Sequence, residues 1–201
     1  MLDYEKKYWN GNFNLICGVD EAGRGCCAGP LVAAAVIFPK DYQNNQINDS
    51  KQLSNKQRVL IFDKIIADAL AYEVKFIPAV EVDRINPKNA SKLAMKNAIM
   101  ELNIKPDLII TDFEKIDINI KQDNLVKGDT KSISVAAASI LAKVARDKYM
   151  IELDGKYPGY KFAKHKGYCT KEHNQAIAKY GVTPEHRKSY KNIKKALSLQ
   201  N

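Results

Sequence analysis

Asp20 and Glu21 stand side by side in the segment GVDEAGRG, directly after an apolar run. Neighbouring carboxylates disfavour each other's ionisation, so the pair costs stability unless a cation lies beside or between them. Two apolar segments, LICGVD and DLIITD, each finish on an aspartate, Asp20 and Asp112. If they are parallel neighbours in an open sheet, both acids gather at the carboxyl ends of the strands, where functional groups collect. Asp129 follows a glycine in NLVKGDT, just ahead of a long helical stretch. Four acids could then ring one pocket. With few histidines nearby, such a pocket suits a hard cation such as Mg²⁺, which takes oxygen ligands and keeps water or a substrate phosphate in its open positions. Taken singly, an aspartate at a strand end is more often a turn residue or a helix cap.

Other chemistries fit the residues less well. Gly23, Gly25 and Gly29 are spaced close to a dinucleotide fingerprint, but that motif should open a helix, and here Pro30 leads into the apolar run LVAAAVIF. The phosphate-loop pattern GxxxxGK[ST] is absent. His165, Cys169 and His173 recur every four residues and could face one side of a helix as zinc ligands, yet Gly167 interrupts that span and no CxxC or HExxH pattern accompanies it. Cys26 and Cys27 read as small buried residues near a turn.

The acids need elements to hold them. Leu15 to Asp20 and Leu31 to Phe38 are short β-branched runs bounded by Gly and Pro, which predicts two buried strands joined by the glycine loop. Ser54 can cap a helix whose apolar positions are Val59, Phe62, Ile66 and Ala69, and Tyr72 to Ile77 reads as a strand. From Pro87 to Leu102 a second helix carries Ala90, Ala94 and Ala98 on one stripe, small enough for close packing on a sheet. Asp107 to Thr111 is a strand ending in Asp112, and a mixed stretch follows. Ser132 to Leu153 is a long helix with Ile133, Ala137, Ile140, Val144 and Ile151 on its buried face. After Tyr157-Pro158-Gly159 the composition shifts to Lys, His and Tyr, so residues 157–201 read as a small helical appendage on a core formed by 1–156.

The whole chain sets outer bounds. Its 201 residues can bury a real core in one domain. Leu31 to Phe38, the longest apolar stretch, is far below the roughly 20 residues that span a bilayer, and the start MLDYEKKYWN lacks a signal peptide's apolar centre, so no membrane partner is expected. Four cysteines without a secretory signal suggest reduced thiols and a cytoplasmic protein. The formal net charge of +9, spread along the chain, suits a nucleic-acid partner.

Taken in order, GVDEAGRG, NDSKQLS, the strand ending in TD, LVKGDT, SISVAAASILAKVARD, FAKHKGY and HRKSY resemble the ribonuclease HII family, the type 2 ribonucleases H, over nearly the whole chain. The resemblance implies an α/β, ribonuclease H-like mixed sheet flanked by helices with a C-terminal helical part. It also implies an endonuclease that hydrolyses the RNA strand of RNA–DNA hybrids and cuts on the 5′ side of single ribonucleotides in duplex DNA, leaving 3′-hydroxyl and 5′-phosphate ends. Its metal ligands fall on Asp20, Glu21, Asp112 and Asp129, expected to seat two Mg²⁺ or Mn²⁺ ions during catalysis. Its glycine-arginine-glycine motif falls on Gly23, Arg24 and Gly25, whose backbone reaches the ribose 2′-hydroxyl, and its sugar-packing tyrosine falls on Tyr168.

Lys51, Lys143, His165 and Lys166 are further candidates for substrate contact, and Asp147 has an ion pair with a neighbour as its plainer reading. Two departures stand out: Cys26 where the family commonly has proline, expected to loosen the loop, and Phe113 where glycine often follows the third acid, expected to narrow the space beside Asp112. A monomer acting on RNA–DNA hybrid and ribonucleotide-containing duplex is the expectation. The competing readings are a duplex-binding protein whose acids merely cap turns, and the sister type HIII, which typically carries an extra N-terminal substrate-binding domain where this chain has a short stretch before its first strand.

Overall fold

A computed structural model describes residues 1–48, 50 and 52–198. The chain runs α1 (Asp3–Trp9), β1 (Ile16–Ala22), β2 (Leu31–Ile37), α2 (Asn55–Asp68), β3 (Ala71–Ile77), α3 (Ala79–Ile85), α4 (Pro87–Met100), β4 (Leu108–Asp112) and β5 (Lys121–Leu125). A 3-10 turn at Gly128–Thr130 then leads into α5 (Ile133–Lys156), α6 (Phe162–His165), α7 (Lys171–Tyr180) and α8 (Lys191–Ser198). Five strands form one mixed sheet in the order β3-β2-β1-β4-β5. β1, β2 and β3 are antiparallel neighbours, while β4 pairs parallel with β1 and β5 parallel with β4. The predicted α/β mixed sheet with flanking helices is therefore present.

Alternation along the strands divides the core in two. Cys17, Val19, Leu31, Ala33 and Ala35 pack with Ala90, Ala94 and Ala98 of α4, while Val32, Ala34 and Val36 pack with α2 and α5. The alanines of LVAAAVI are small on both sides, so helices lie close on both faces of β2. Gly18 serves the same end on β1: a Cβ there would sit 2.1 Å from the carbonyl carbon of Ser134, because the long helix rides directly on the strand.

Several elements match the sequence, and several do not. Ser54 caps α2 in a capping box with Gln57, and Ser132 caps α5 through the Val135 N–H. The buried positions of α2 are Ile61 and Ile65, whereas Val59, expected inside, is exposed; Phe62, Ile66 and Ala69 are partly covered. On α5, Ile133, Ala137, Ile140 and Val144 are buried as expected, but Ile151 is exposed, because the last turns bury Met150 and Leu153 against the C-terminal segments instead.

Helices α1 and α3 and strand β5 are additions that the sequence pattern does not announce. α1 is placed by buried Trp9, which packs with Ile16 and Leu108, and by one buried carboxylate. The Glu5 carboxylate accepts from the Ser132 hydroxyl at 2.5 Å and the Ser134 N–H at 3.1 Å, which sets a negative charge on the N-terminus of α5. The residues after Tyr157 join a cluster in which Tyr160, Phe162, Ile177 and Ile193 meet Cys27, Ala28, Met150 and Leu153. All four cysteines are free thiols. Among the described residues no helix is long and apolar enough to cross a membrane.

The contact at Gly18 yields a stability expectation. Gly18→Ala should cost about 3 kcal/mol through overpacking against α5, read as a lower urea midpoint; a midpoint equal to that of the unaltered protein would show that the helix does not bear on the strand.

Candidate active site

Val19 of β1 pairs with Thr111 of β4, so the next residues, Asp20 and Asp112, stand side by side where those two strands part. Asp20, Glu21 and Asp112 line one cleft of about 320 Å³, with Gly23, Arg24 and Gly25 along its rim. Gly128 donates its N–H to Asp112 Oδ1 at 2.8 Å, which brings the turn carrying Asp129 against the end of β4. Asp129 itself is buried and is not among the cleft's lining residues. Among the described residues, no three His, Cys, Asp or Glu side chains are already gathered tightly enough to enclose a metal ion.

Burial, more than any lack of cations, sets the electrostatics of the cleft's acids, since Arg24, Arg58, Lys143 and Arg146 line it with them. Burial, then the neighbouring Glu21 and Asp112 carboxylates, push Asp20 well above the ordinary carboxylate value, against hydrogen bonds from the Ser139 hydroxyl and the Glu21 N–H. The Glu21 N–H reaches Asp20 Oδ1 at 2.7 Å. Burial also raises Glu21, opposed chiefly by Arg24. That arginine is the cation the acid pair required: its Nη1 lies 3.6 Å from Glu21 Oε1 and its Nη2 donates to Glu114 Oε1 at 2.7 Å.

The donor set suits a hard divalent ion. Carboxylate oxygens whose ionisation burial and mutual repulsion resist are what such an ion would relieve, and the cleft offers no soft ligand that would select another metal. Asp20, Glu21, Asp112 and the adjacent Asp129 are the residues that fit it.

The remaining candidates divide. Lys143 and Tyr168 line the same cleft, and Tyr168 is half exposed at its edge. Lys143 Nζ pairs with Asp147 at 2.7 Å, one helical turn along α5, which is the plainer reading of Asp147. Lys51 lies outside the described residues. Lys166 turns its ammonium to the Ala163 carbonyl, while its own carbonyl accepts from Arg146.

His165 is buried away from the cleft: its Nε2 donates to the Tyr160 carbonyl at 2.8 Å and its ring stacks on His173 at 4.2 Å. The three positions 165, 169 and 173 do not share a helix. His165 closes α6, Cys169 is exposed in the following loop, and His173 lies on α7, paired through Nε2 with His186 Nε2 at 3.0 Å. Burial pushes His173 and His186 down to about 4.

The two departures have local explanations. Phe113 sits at φ 65°, left-handed backbone that glycine adopts without strain, and its ring points to solvent instead of narrowing the cleft. Cys26 donates its N–H to the Gly23 carbonyl at 3.2 Å, a turn-closing bond that proline could not make. The loop is tied, where loosening was expected.

Some residues of the site escaped the sequence. Ser139 lies one turn before Lys143 on α5, so its i, i+4 spacing from that lysine is the signal that could have found the serine that bonds Asp20. Glu114, buried behind Arg24, had no apolar frame to mark it. Arg58, from the first turns of α2, lines the cleft and donates to the Ser50 carbonyl at 2.6 Å.

Comparison with known proteins gives the family. The family model described as Ribonuclease HII matches residues 17–193. The chain belongs to the ribonuclease HII family. It is 50% identical over 191 residues to the ribonuclease HII of Acetivibrio thermocellus, covering 94% of this chain and 75% of that one. It is 48% identical over 199 residues to the ribonuclease HII of Caldicellulosiruptor bescii, covering 98% and 96%. The crystal structure of ribonuclease H2 from Pyrococcus horikoshii OT3 superimposes with a TM-score of 0.79 at 26% identity, over 92% of this chain and 98% of that one. As a ribonuclease HII family member the chain is a metal-dependent endoribonuclease with the ribonuclease H-like fold.

Two expectations follow. Asp20→Asn keeps an oxygen for the Glu21 N–H while removing a buried charge, so in chelator the variant should be more stable than the unaltered protein by about 1 kcal/mol; a lower urea midpoint would contradict the repulsion. His173 and His186 are held neutral in the fold below their usual value of 6.5, so the stability they contribute is complete above that pH and is lost as pH falls from 6.5 toward 4. His173→Gln should flatten the decline in melting temperature over that window, and parallel profiles would contradict it.

Proposed function

We propose that this ribonuclease HII family member hydrolyses the RNA strand of RNA–DNA hybrids and cuts on the 5′ side of single ribonucleotides in duplex DNA, leaving 3′-hydroxyl and 5′-phosphate ends. The observation that carries the reading is the parallel pairing of β1 with β4, which sets Asp20 beside Asp112 at a cleft rimmed by Gly23, Arg24 and Gly25. Asp20, Glu21, Asp112 and Asp129 would hold Mg²⁺ or Mn²⁺, two ions in the working complex. Such ions lower the pKa of an attacking water and stabilise the leaving 3′ oxygen.

The chain's own residues do the rest. Glu21 is held by Arg24, and Arg24 would keep Glu114 as its partner if Glu21 served as a ligand. The Gly23-Arg24-Gly25 backbone reads the ribose 2′-hydroxyl, and a Cβ at Gly25 would meet nothing within 4 Å, so the approach from the cleft is open. Tyr168 offers an exposed ring at the same edge for the adjoining sugar. Lys143, Lys166 and Lys51 are assigned to phosphates, which position the duplex without reading its sequence. The residues 157–201 act as a C-terminal appendage that brings Tyr168 to the core formed by 1–156, and the chain works as a monomer.

Cleavage of a duplex carrying one ribonucleotide, in Mg²⁺ and in chelator, tests this directly. A single cut on the 5′ side of the ribonucleotide should appear only with metal. Asp112→Asn should lower the rate by about 1,000-fold or more, equivalent to about 4 kcal/mol of barrier. Full activity in that variant, or binding of the duplex without any metal-dependent cut, would contradict the proposal.

A further inference from the structure

Arg146 and Arg187 are the two bulkiest side chains that the fold buries almost completely, at 1% and 0% exposure. Among the described residues neither guanidinium forms an ion pair; their donors go to backbone carbonyls and, for Arg187, also to the Tyr190 hydroxyl. A buried cation without a counter-anion is costly, so this arrangement asks for a reason beyond packing.

The carbonyls they take belong to the glycine loop. Arg187 Nε and Nη2 donate to the Gly29 carbonyl at 3.1 and 2.9 Å, and Nη1 donates to the carbonyls of Gly23 at 2.8 Å and Arg24 at 3.2 Å. The Tyr190 hydroxyl accepts from the same Nη1 at 3.0 Å and donates to the Arg24 carbonyl at 2.5 Å. Arg146 ties the loop's exit to the turn before Tyr168, donating to Ala28 and Pro30 on one side and to Lys166 on the other. Gly23 is obligatory beside it: at φ 89°, a Cβ there would lie 2.0 Å from Arg146 Nε.

A trans peptide unit points its C=O and the following N–H in opposite directions. With the carbonyls of Gly23 and Arg24 drawn back onto Arg187, the N–H groups of Arg24 and Gly25 face forward, and both residues line the cleft. Among the described residues neither N–H meets a backbone acceptor.

We propose that Arg187, aided by the Tyr190 hydroxyl, is a positioning residue that presets the Arg24 and Gly25 N–H groups as donors to the substrate's 2′-hydroxyl oxygen. The proposal rests on the reading of Gly23-Arg24-Gly25 as the ribose reader given above. Arg187 touches no substrate; it removes the loop's freedom to turn its carbonyls outward, which would set an acceptor where a donor is needed.

The test compares binding, with Ca²⁺ in place of Mg²⁺, to two duplexes of one sequence, all-DNA and with a single ribonucleotide. Arg187→Lys keeps the charge but loses the planar fork. The unaltered enzyme should prefer the ribonucleotide duplex; Arg187→Lys should reduce that preference about tenfold, and Tyr190→Phe about threefold, the worth of hydrogen bonds misaligned rather than abolished. The loss should fall on the ribonucleotide duplex and spare the all-DNA one, whose affinity comes from phosphates. A folded Arg187→Lys with undiminished preference overturns the proposal, as does equal weakening on both duplexes, the mark of a merely structural part. Should Arg187→Lys fail to fold, Tyr190→Phe is judged by the same two criteria. An unaltered enzyme that binds both duplexes equally removes the ribose reader itself, and the proposal with it.

Discussion

Like charges buried side by side are the constraint around which the molecule is organised. The parallel register of β1 and β4 fixes Asp20 next to Asp112, and the chain places Glu21 immediately after Asp20. Burial and mutual repulsion both resist ionisation there. Arg24 offsets part of that repulsion through Glu21, and Glu114 keeps the arginine in place from behind. The acids are therefore held in a state that an incoming divalent ion would relieve.

The scaffold's small residues make that placement rigid. Gly18 lets α5 lie against β1, and the helix then presents Ser139 to Asp20 and Lys143 to the same cleft. Glu5 pins the first turn of α5, directly after the turn that carries Asp129. On the opposite rim, Arg146 and Arg187 fasten the glycine loop to the C-terminal segments. Buried charge, acidic in Asp20 and basic in Arg146 and Arg187, thus stands at the cleft and at the loop beside it.

Much of this was legible in the sequence because the signals were local. An apolar run ending in Asp reads as a strand end, Ser54 followed by Gln57 reads as a helix start, and the alanine stripe of α4 reads as close packing. What failed to show had physical reasons. β5, KQDNL, is an edge strand with a single neighbour and a mostly half-covered surface, so it carries no apolar pattern. α1 is only seven residues long, too short for a hydrophobic period to show, and it is held by the Glu5 carboxylate and by Trp9, buried with Ile16 and Leu108. The apolar residues of α2 fit two adjacent stripes, and only the packed sheet chooses Ile61 and Ile65 over Val59. Arg146 and Arg187 look like surface cations until the loops they hold are seen. His165 reads as a basic neighbour of Tyr168 and so as a substrate contact, whereas its ring completes an aromatic and histidine stack.

The most direct measurement is the anomalous scattering of crystals grown or soaked in Mn²⁺. Strong peaks bounded by the carboxylates of Asp20, Glu21, Asp112 and Asp129, with Arg24 withdrawn from Glu21 toward Glu114, are the expected result. Peaks elsewhere, or a cleft that keeps its Arg24–Glu21 contact and takes no manganese at millimolar concentration, would contradict the claim that this acid cluster is a metal seat.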